Sequence, residues 1–374
     1  MQTTDTVLSD DSSLVISPTI AAIDGALSAF EVDRTSRGHL GMSEIGNPDA
    51  RTLWLKFRWS LPDNHSPRTL RIFRLGNLIE LELASLLRMV PGVTLHTENP
   101  KTGEQFNFKY LGGHFSGSMD GCMIGLPDAP KSWHVWEAKS VGKKFFNDLV
   151  KKGVKEWNKK YYAQLQCYMG ATKIERALFM AYNKDNSEIH LERVHKEPMF
   201  WEGMLANAER IITRYEMPES SWKDRTWYES KFMSEEAQSV YWGDRLPKPN
   251  CRNCRFSEAV VDDSSDAMWH CNAYEQDLTI DEQMSGCTAG HAFIPCFMSG
   301  FADPVSGNES VSVYRVRDSG NLFANGNAEN FDNGHDCVCY SSHELYSMVS
   351  PCTALSDDFI SSVKVMFSGS VYAK

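Results

Sequence analysis

Two consecutive strand-like segments in the first half of the chain carry acidic residues close to a lysine. One segment contains Asp120 within GSMDG, and the next contains Glu137 and Lys139 within WEAKS. Because side chains alternate along a strand, Glu137 and Lys139 point to the same face of a sheet. We expect Asp120 to lie on the adjacent strand of a hairpin, close enough to share a cation with Glu137. The fold must therefore bring these three charged groups to one place in a sheet.

This grouping of residue types suits the hydrolysis of a phosphodiester bond. Carboxylate and carbonyl oxygens are the ligands that Mg²⁺ and Mn²⁺ prefer. Such an ion polarises a phosphoryl oxygen and lowers the pKa of a bound water, while a lysine offsets charge on the phosphate. An isolated Glu-x-Lys tripeptide is more often a surface ion pair, and this alternative stays open for the tripeptide alone.

A helix before these strands offers a third carboxylate. Its apolar residues keep a helical period: Ile72, Leu75, Ile79, Leu83, Leu86 and Val90. On the neighbouring face Gly76, Glu80 and Leu83 align, which would turn Glu80 towards the interior. A buried carboxylate is costly unless it is paired or bound to a metal. Exposure of Glu80 at the edge of the apolar stripe is the alternative.

The order of the predicted elements indicates an α/β or α+β core over residues 37–215. Strands are expected at 104–111, 114–125 and 132–140, and a hairpin over 176–194 with its turn at 183–186. Helices are expected within 43–59, with Ser43 as N-cap, and at 200–215. The remaining segments are a lead-in (1–36), a connector (216–250), a cysteine-rich module (251–296) and an acidic β-rich module or tail (297–374), in which 361–373 is expected to be a strand.

Four short motifs in this order resemble the PD-(D/E)xK nuclease superfamily, in its RecB-like and lambda-type phage exonuclease branch. The motifs are RLGNLIE with Gly76 and Glu80, GSMD with Asp120, EAK with Glu137 and Lys139, and QLQCY with Gln164 and Tyr168. The resemblance covers about residues 37–195. It implies a restriction-endonuclease-like mixed sheet flanked by helices.

The resemblance also implies roles for these residues. Asp120 and Glu137 would bind Mg²⁺ or Mn²⁺, and Glu80 would complete or bridge a second metal position. Lys139 would be the catalytic lysine. Gln164 and Tyr168, four residues apart and so on one helix face, would hold DNA near the site, unless they only pack their helix on the sheet.

A further segment, RGHLGMSEIG, is similar to the N-terminal stretch of lambda-type exonucleases, in which an arginine and a serine bind a 5′-phosphate. Arg37 and Ser43 are the matching positions. The alternative is that Ser43 only caps a helix. The resemblance favours an exonuclease acting on the ends of linear double-stranded DNA, for recombination or degradation.

The net charge of −11 argues at first against a nucleic-acid partner, but the charge is unevenly distributed. Residues 139–160 hold eight lysines, among them Lys143 and Lys144, against two acids. Such a run is often a solvated helix face. Beside an acidic cluster it becomes a candidate contact to the DNA backbone, because each lysine that neutralises a phosphate releases a counterion.

Cysteines cluster in the segment 251–291. Cys251, Cys254, Cys271 and Cys287, with His291 as a possible replacement for one of them, form a pattern typical of a metal site in a reducing compartment. Four local thiolates favour structural zinc, and an iron–sulfur cluster is the alternative. We expect the ordered module also to present Arg252 and Arg255 to DNA. Cys337 and Cys339 with His335 and His343 are a weaker second candidate.

These features together predict a divalent-metal-dependent deoxyribonuclease. The N-terminus has no basic and apolar leader, and no apolar run could span a bilayer, so we expect a cytoplasmic protein that does not bind membranes. A single-strand annealing protein is a candidate partner, and oligomerisation stays open. The alternative function is a catalytically silent DNA-end-binding or partner-docking protein that keeps the nuclease fold.

Overall fold

The structure is a computed structural model of the 374-residue chain. It describes residues 17–32, 37–62, 65–226, 233–264, 266–331, 337–348 and 350–367. Most of the lead-in, 1–16 and 33–36, and the end of the last predicted strand, 368–374, lie outside the described residues.

The described residues form eleven α-helices and fifteen strands. The helices are α1 (Pro18–Val32), α2 (Ala50–Phe57), α3 (Pro67–Arg88), α4 (Lys143–Trp157), α5 (Lys159–Thr172), α6 (Phe200–Thr213), α7 (Glu235–Trp242), α8 (Ile280–Ser285), α9 (Ser342–Ser347), α10 (Pro351–Ser356) and α11 (Asp358–Phe367). The strands are β1 (Leu40–Gly41), β2 (Thr94–His96), β3 (Asn107–Tyr110), β4 (Phe115–Ser118), β5 (Gly121–Ile124), β6 (His134–Val141), β7 (Arg176–Asn183), β8 (Ile189–His195), β9 (Ser257–Ala259), β10 (Trp269–Cys271), β11 (Gln276–Leu278), β12 (Ala302–Gly307), β13 (Val311–Val316), β14 (Leu322–Gly326) and β15 (Val338–Tyr340).

A five-stranded mixed sheet in the order β2-β5-β6-β7-β8 forms the centre of the fold. Only β6 and β7 pair in parallel, and α4 and α5 connect them. The other neighbours are antiparallel, including the expected hairpin of β7 and β8. The predicted mixed α/β architecture is confirmed. The domain boundaries stay predictions.

The central strand β6 is covered on both faces. Val135 packs in the larger apolar cluster, which includes residues of α5 and α6, whereas Trp136 and Ala138 pack in a second cluster beneath α3. Burial on both faces explains why the apolar residues of β6 are divided between two clusters instead of lying on one side of the sheet. The charged residues Glu137 and Lys139 lie among them in the same strand.

The stripe predicted for α3 is only half right. Leu83 is fully buried and Ile79 and Leu86 are partly buried, but Ile72 and Leu75 are exposed, and Val90 lies beyond the end of the helix. The sheet meets α3 on the neighbouring face, the one with Gly76, Glu80 and Leu83. A stripe of apolar residues shows that a helix is amphipathic, but the packing partner determines which edge of the stripe is buried.

The predicted strand 114–125 is interrupted at Met119 and Asp120. Its first part, β4, pairs with β1 and β3 in a separate three-stranded sheet, and its second part, β5, joins the central sheet. Asp120 therefore lies at the crossing from one sheet to the next rather than within a strand. There its side chain accepts a hydrogen bond from the backbone N–H of Ala138 in β6.

The N-cap of α2 is Asp49, so the interpretation of Ser43 as a helix cap is wrong. Asp49 accepts hydrogen bonds from the backbone N–H of Thr52 at 2.8 Å and from the Tyr241 hydroxyl at 3.1 Å. Asp49 is preferred because its carboxylate satisfies an otherwise unpaired N–H of the first turn. Ser43 lies in a turn six residues earlier, so its side chain does not cap α2.

The C-terminal third packs onto the same core. The strands β9 to β11 form an antiparallel sheet, and β12 to β15 form a four-stranded mixed sheet. The predicted strand over 361–373 is wrong within its described part, because α11 covers residues up to Phe367. Ile360 and Lys364, one helical turn apart, both lie inward, and Lys364 bonds Glu344. Over so short a segment, the spacing of the apolar residues alone does not distinguish the helical period from the alternation of a strand.

No helix among the described residues combines the length and the apolar character needed to cross a membrane.

Candidate active site

Glu137 and Lys139 lie on the same face of β6, and their side chains are joined. The Lys139 ammonium donates a hydrogen bond to Glu137 Oε1 and another, of 3.1 Å, to the Ala138 carbonyl. Glu137 is fully buried and Lys139 is half-buried. The pair therefore differs from the exposed ion pair that is the ordinary explanation of a Glu-x-Lys tripeptide.

Asp120 reaches β6 from the crossing between the two sheets. Its Oδ2 accepts a hydrogen bond of 3.0 Å from the backbone N–H of Ala138 and lies 3.9 Å from Lys139 Nζ. Ala138 stands between Glu137 and Lys139, so this bond places Asp120 against both residues. The structure brings together the three charged groups that were grouped from the sequence.

Burial and the negative charge of Asp120 disfavour the ionised form of the Glu137 side chain. Burial first, and then the charge of Asp120, raises the pKa of Glu137 to about 8. Its Oε2 is buried and has no hydrogen-bond partner within the described part of the chain. Burial lowers the pKa of Lys139, but the charges of Glu137 and Asp120 outweigh burial and hold that pKa above its ordinary value.

Glu80 approaches the same place from α3. The helix passes the end of β6 closely, since a Cβ on Gly76 would lie 3.8 Å from Ser140 Oγ. Burial, followed by the charge of Asp120, raises the pKa of half-buried Glu80 to about 7. The interior orientation weighed for Glu80 therefore fits better than full exposure.

The donor set suits a divalent cation, although the side chains are not arranged around one. Three carboxylates share one electrostatic environment, and one buried carboxylate oxygen has no partner, so a positive charge would relieve both costs. Among the described residues, no three His, Cys, Asp or Glu side chains are grouped as a metal site. Metal binding here would require the carboxylates to close around the ion.

Gln164 and Tyr168 of α5 lie beneath this cluster and are buried. The Tyr168 hydroxyl donates a hydrogen bond of 2.6 Å to the Ser118 carbonyl and accepts one of 3.2 Å from Gln164 Nε2. Ser118 is two residues before Asp120. The two side chains therefore support the segment that carries Asp120, and their burial leaves little surface for a direct contact with DNA.

Tyr161 is a neighbour of the site that the sequence analysis did not single out. The Lys139 ammonium lies 5.5 Å from the centre of its ring, and the ring also packs on Trp157 and Phe179. An ammonium over an aromatic face is attracted by the ring quadrupole. Helical spacing places Tyr161 on the same face as Gln164, three residues later, but it does not show that the ring lies near Lys139.

Arg37 and Ser43 are brought together at a turn around β1. Arg37 Nη1 donates to Ser43 Oγ at 3.5 Å, and a Cβ on Gly41 would lie 2.3 Å from that nitrogen. Only a residue without a side chain leaves Arg37 this position. Lys143 and Lys144 are exposed at the start of α4, which follows β6 after one residue.

The four cysteines of 251–291 share one electrostatic environment. Burial, and then the charges of Cys254, Cys287 and Cys271, raises the pKa of Cys251 to about 12. Thiols that would repel one another as thiolates are a suitable donor set for a thiophilic cation. Like the carboxylates, these side chains are not grouped as a metal site among the described residues.

His291 lies apart from these thiols. Its Nε2 is 2.9 Å from the Asn250 carbonyl and 3.1 Å from Asn253 Oδ1, and burial lowers its pKa to about 4. Nε2 is therefore hydrogen-bonded to the protein, whereas Nδ1 is buried without a hydrogen-bond partner among the described residues. Of the weaker second group, His335 lies outside the described residues.

Of the two arginines beside the cysteines, Arg252 is turned inward, so the expectation that it faces DNA is wrong, whereas Arg255 is partly exposed. Arg252 is fully buried. Arg255 donates hydrogen bonds to Ser312 Oγ and to the Asn308 carbonyl, the latter of 2.9 Å. Backbone carbonyls and the Trp59 ring hold the Arg252 guanidinium, and contacts with the C-terminal part of the chain hold that of Arg255.

Comparisons with known proteins give distant structural similarities. No protein-family model and no curated protein matches the chain. The alkaline exonuclease LHK-Exo from Laribacter hongkongensis is 13% identical with a TM-score of 0.33, over 50% of this chain and 90% of that one. A phage related exonuclease from Haemophilus somnus 129PT is 15% identical with a TM-score of 0.26, over 37% of this chain and 70% of that one. The protein SSO0001 is 14% identical with a TM-score of 0.36, over 58% of this chain and 97% of that one. TM-scores this low leave the geometry of the site as the basis for a functional assignment.

The contact beneath Asp120 can be tested with Tyr168→Phe. We expect the variant to lose about 1–2 kcal/mol of unfolding free energy, because the Ser118 carbonyl and the Gln164 amide lose a hydrogen-bond partner in a buried position. Urea unfolding followed by circular dichroism measures the loss. Tyr161→Phe, on the same helix but without this contact, is the matched control. Equal stabilities of the two variants would contradict the supporting role.

Proposed function

We propose that this protein is a divalent-metal-dependent deoxyribonuclease that hydrolyses phosphodiester bonds, acting as an exonuclease on linear double-stranded DNA. One observation carries the proposal. Three carboxylates and a lysine from β6, α3 and the crossing between two sheets share one electrostatic environment, in which Glu137 Oε2 is buried without a hydrogen-bond partner among the described residues. A buried group of like charges is costly for folding, so function is the reason to keep it.

Each residue of this group has a proposed task. Glu137, Asp120 and Glu80 would hold Mg²⁺ or Mn²⁺, whose hard oxygen preference they match. Such an ion supplies Lewis-acid activation of the phosphoryl group and of water. Lys139, fixed by Glu137 and the Ala138 carbonyl, keeps its proton and presents a positive charge to the scissile phosphate.

The DNA would run from this group towards α4. Lys143 and Lys144 are exposed one residue after β6 ends, where their ammonium groups are available to phosphates. Gln164 and Tyr168 were expected to hold DNA. Their burial supports a positioning role behind Asp120 instead. Arg37 and Ser43 would receive the 5′-phosphate of a DNA end, which favours exonuclease over endonuclease action.

The four cysteines would bind a structural zinc ion, with an iron–sulfur cluster as the alternative. Their shared burial and mutual charge support a tightly bound cation. If His291 replaces one of them, it would bind the metal through Nδ1, because its Nε2 is already hydrogen-bonded. A single-strand annealing protein as partner and the cytoplasm as location rest on the resemblance and the sequence alone.

The proposal is tested by incubating the protein with end-labelled linear and closed circular duplexes in Mg²⁺. We expect the linear duplex to be degraded from its ends and the circular duplex to survive. Cleavage of both would indicate an endonuclease. A gel shift without cleavage, in Mg²⁺ and in Mn²⁺, would favour a DNA-end-binding protein that has lost catalysis.

Lys139→Ala should abolish cleavage while the protein stays folded and keeps most of its DNA affinity, because the ammonium acts on the phosphate rather than on the sheet. Initial rates on a labelled linear duplex measure the effect. Lys131→Ala, at an exposed lysine, is the control. A rate within about tenfold of wild type, a barrier change of roughly 1.4 kcal/mol, would remove Lys139 from the chemistry.

Asp120→Asn and Glu137→Gln should each weaken Mn²⁺ binding, since a neutral amide is a poorer ligand for a hard cation than a carboxylate. Calorimetric titration with Mn²⁺ provides the comparison, with Asp128→Asn, an exposed acid paired with Arg193, as control. The metal content of the cysteine site should stay unchanged in both variants. If both bind Mn²⁺ like wild type, the carboxylates are structural.

The cysteine module should depend on its metal for order, because a segment of this size has a small apolar core. Purified protein should contain about one zinc and be colourless. Cys254→Ser should make the segment around Arg252 sensitive to protease before the rest of the protein melts, and Cys352→Ser, outside the module, should not. A brown protein would indicate a cluster instead. A metal-free protein with a protease-resistant module would refute the metal site.

A further inference from the structure

Arg252 links the cysteine module to the first part of the chain. It stands between Cys251 and Cys254 in the sequence, yet its side chain is fully buried. The guanidinium lies 3.7 Å from the centre of the Trp59 ring, and its Nε donates a hydrogen bond of 2.9 Å to Gln283. The side chain is therefore held from both sides, by the module and by the segment that follows α2.

The far end of the same guanidinium reaches residue 38. Nη1 donates hydrogen bonds to the Gly38 carbonyl at 3.0 Å and to the Phe57 carbonyl at 3.3 Å. Nη2 has no hydrogen-bond partner within the described residues, and a Cβ on Gly38 would lie 3.9 Å from it. The segment that begins at Arg37 is therefore hydrogen-bonded directly to Arg252.

Trp59 supplies a second connection to this segment. Its indole N–H donates a hydrogen bond of 2.9 Å to the Arg37 carbonyl, and the Arg252 guanidinium lies over its ring. Arg252 therefore fixes the backbone on both sides of the bond between residues 37 and 38. That backbone determines where the Arg37 side chain meets Ser43.

No carboxylate forms an ion pair with the buried Arg252 in the described part of the protein. Burial, followed by the charge of Arg58, lowers the pKa of Arg252, and Arg58 is also buried. Two buried arginines without acidic partners are costly, and an apolar residue in either place would cost less. An anion that binds nearby would offset the cost.

Positive charge accumulates at residues 37–43. Burial, followed by the charges of Arg37, Arg252 and Lys109, lowers the pKa of His39 to about 4. Every charge that shifts the His39 ring is positive. Arg37 and Ser43, already within hydrogen-bond distance of each other, are the accessible donors of this segment.

We propose that Arg252 is a positioning residue through which the cysteine module builds an anion site on residues 37–43, with Arg37 and Ser43 as the groups that contact a phosphate. The proposal rests on the proposed function only in identifying that anion as the 5′-phosphate of a DNA end. Arg252 acts by holding the 37–38 backbone and by adding a poorly screened positive charge beneath it. Loss of the cysteine-bound metal would then weaken recognition of DNA ends without touching the carboxylates.

The test compares wild type with Arg252→Met, Arg252→Lys and Arg37→Met. Arg255→Met is the matched control, because Arg255 also stands beside the cysteines but bonds the C-terminal sheet. Binding of inorganic phosphate to the full chain is measured by calorimetry at constant ionic strength. In a second assay, KM and kcat are measured on linear duplexes with a 5′-phosphate or a 5′-hydroxyl.

We expect Arg252→Met to weaken phosphate binding about tenfold, the size expected for hydrogen bonds to a charged group. It should raise KM on the phosphorylated duplex and leave both constants on the hydroxyl duplex near wild type. Arg252→Lys keeps the positive charge but loses the planar guanidinium, so its phosphate affinity should lie between those of wild type and Arg252→Met. If Arg252→Met does not fold, Arg252→Lys decides the question by the same measurements.

Two results would overturn the proposal. One is phosphate binding by folded Arg252 variants equal to that of wild type and Arg255→Met. The other is wild-type protein that does not bind phosphate. Phosphate binding that depends on Arg252 in a protein that cleaves neither duplex would instead refute the nuclease assignment and leave the anion site standing.

Discussion

The hydrogen bond from the Ala138 backbone N–H to Asp120 joins the two features on which the structure depends. Asp120 lies where the chain leaves one sheet for the next, and Ala138 lies in the central strand between Glu137 and Lys139. The bond places Asp120 beside Glu137 and Lys139 and so completes the charged group. Tyr168, through the Ser118 carbonyl, supports the same crossing from behind.

Buried charge is the second theme of this molecule, and it occurs with opposite signs in two places. Within the part of the chain that the structure describes, one oxygen of the buried Glu137 has no hydrogen-bond partner, and the buried Arg252 and Arg58 form no ion pair with an acid. Neither arrangement stabilises the fold by itself, because desolvation of a charge costs more than most compensating contacts return. A cation at the first place and an anion at the second are the ligands that would offset these costs. A phosphodiester substrate with a metal ion would provide both charges.

Several of the sequence interpretations depended on which partner an element would meet. The apolar stripe of α3 was visible, but its N-terminal residues Ile72 and Leu75 are exposed because the sheet packs against the adjacent face. Residues 361–367 lie in a helix whose Lys364 contacts Glu344 of α9 and Tyr340 of β15. Arg252 had been expected at the surface, and the distant Gly38 carbonyl helps to hold it inward. In each case a long-range contact, absent from local periodicity, decided the outcome.

The sequence by itself determined which polar groups share one face of a strand or a helix. Alternation along a strand put Glu137 and Lys139 on one face, and helical spacing put Gln164 and Tyr168 together, but for Glu80 it left both the interior and the exposed edge open. These are short-range consequences of backbone geometry, so a few residues suffice to specify them. Only the tertiary structure decided that Asp120 stands at a crossing between sheets, that Tyr161 lies over Lys139, and that Arg252 supports Arg37. Such contacts join residues that are distant along the chain, and their partners are selected by packing and charge compensation over the whole core.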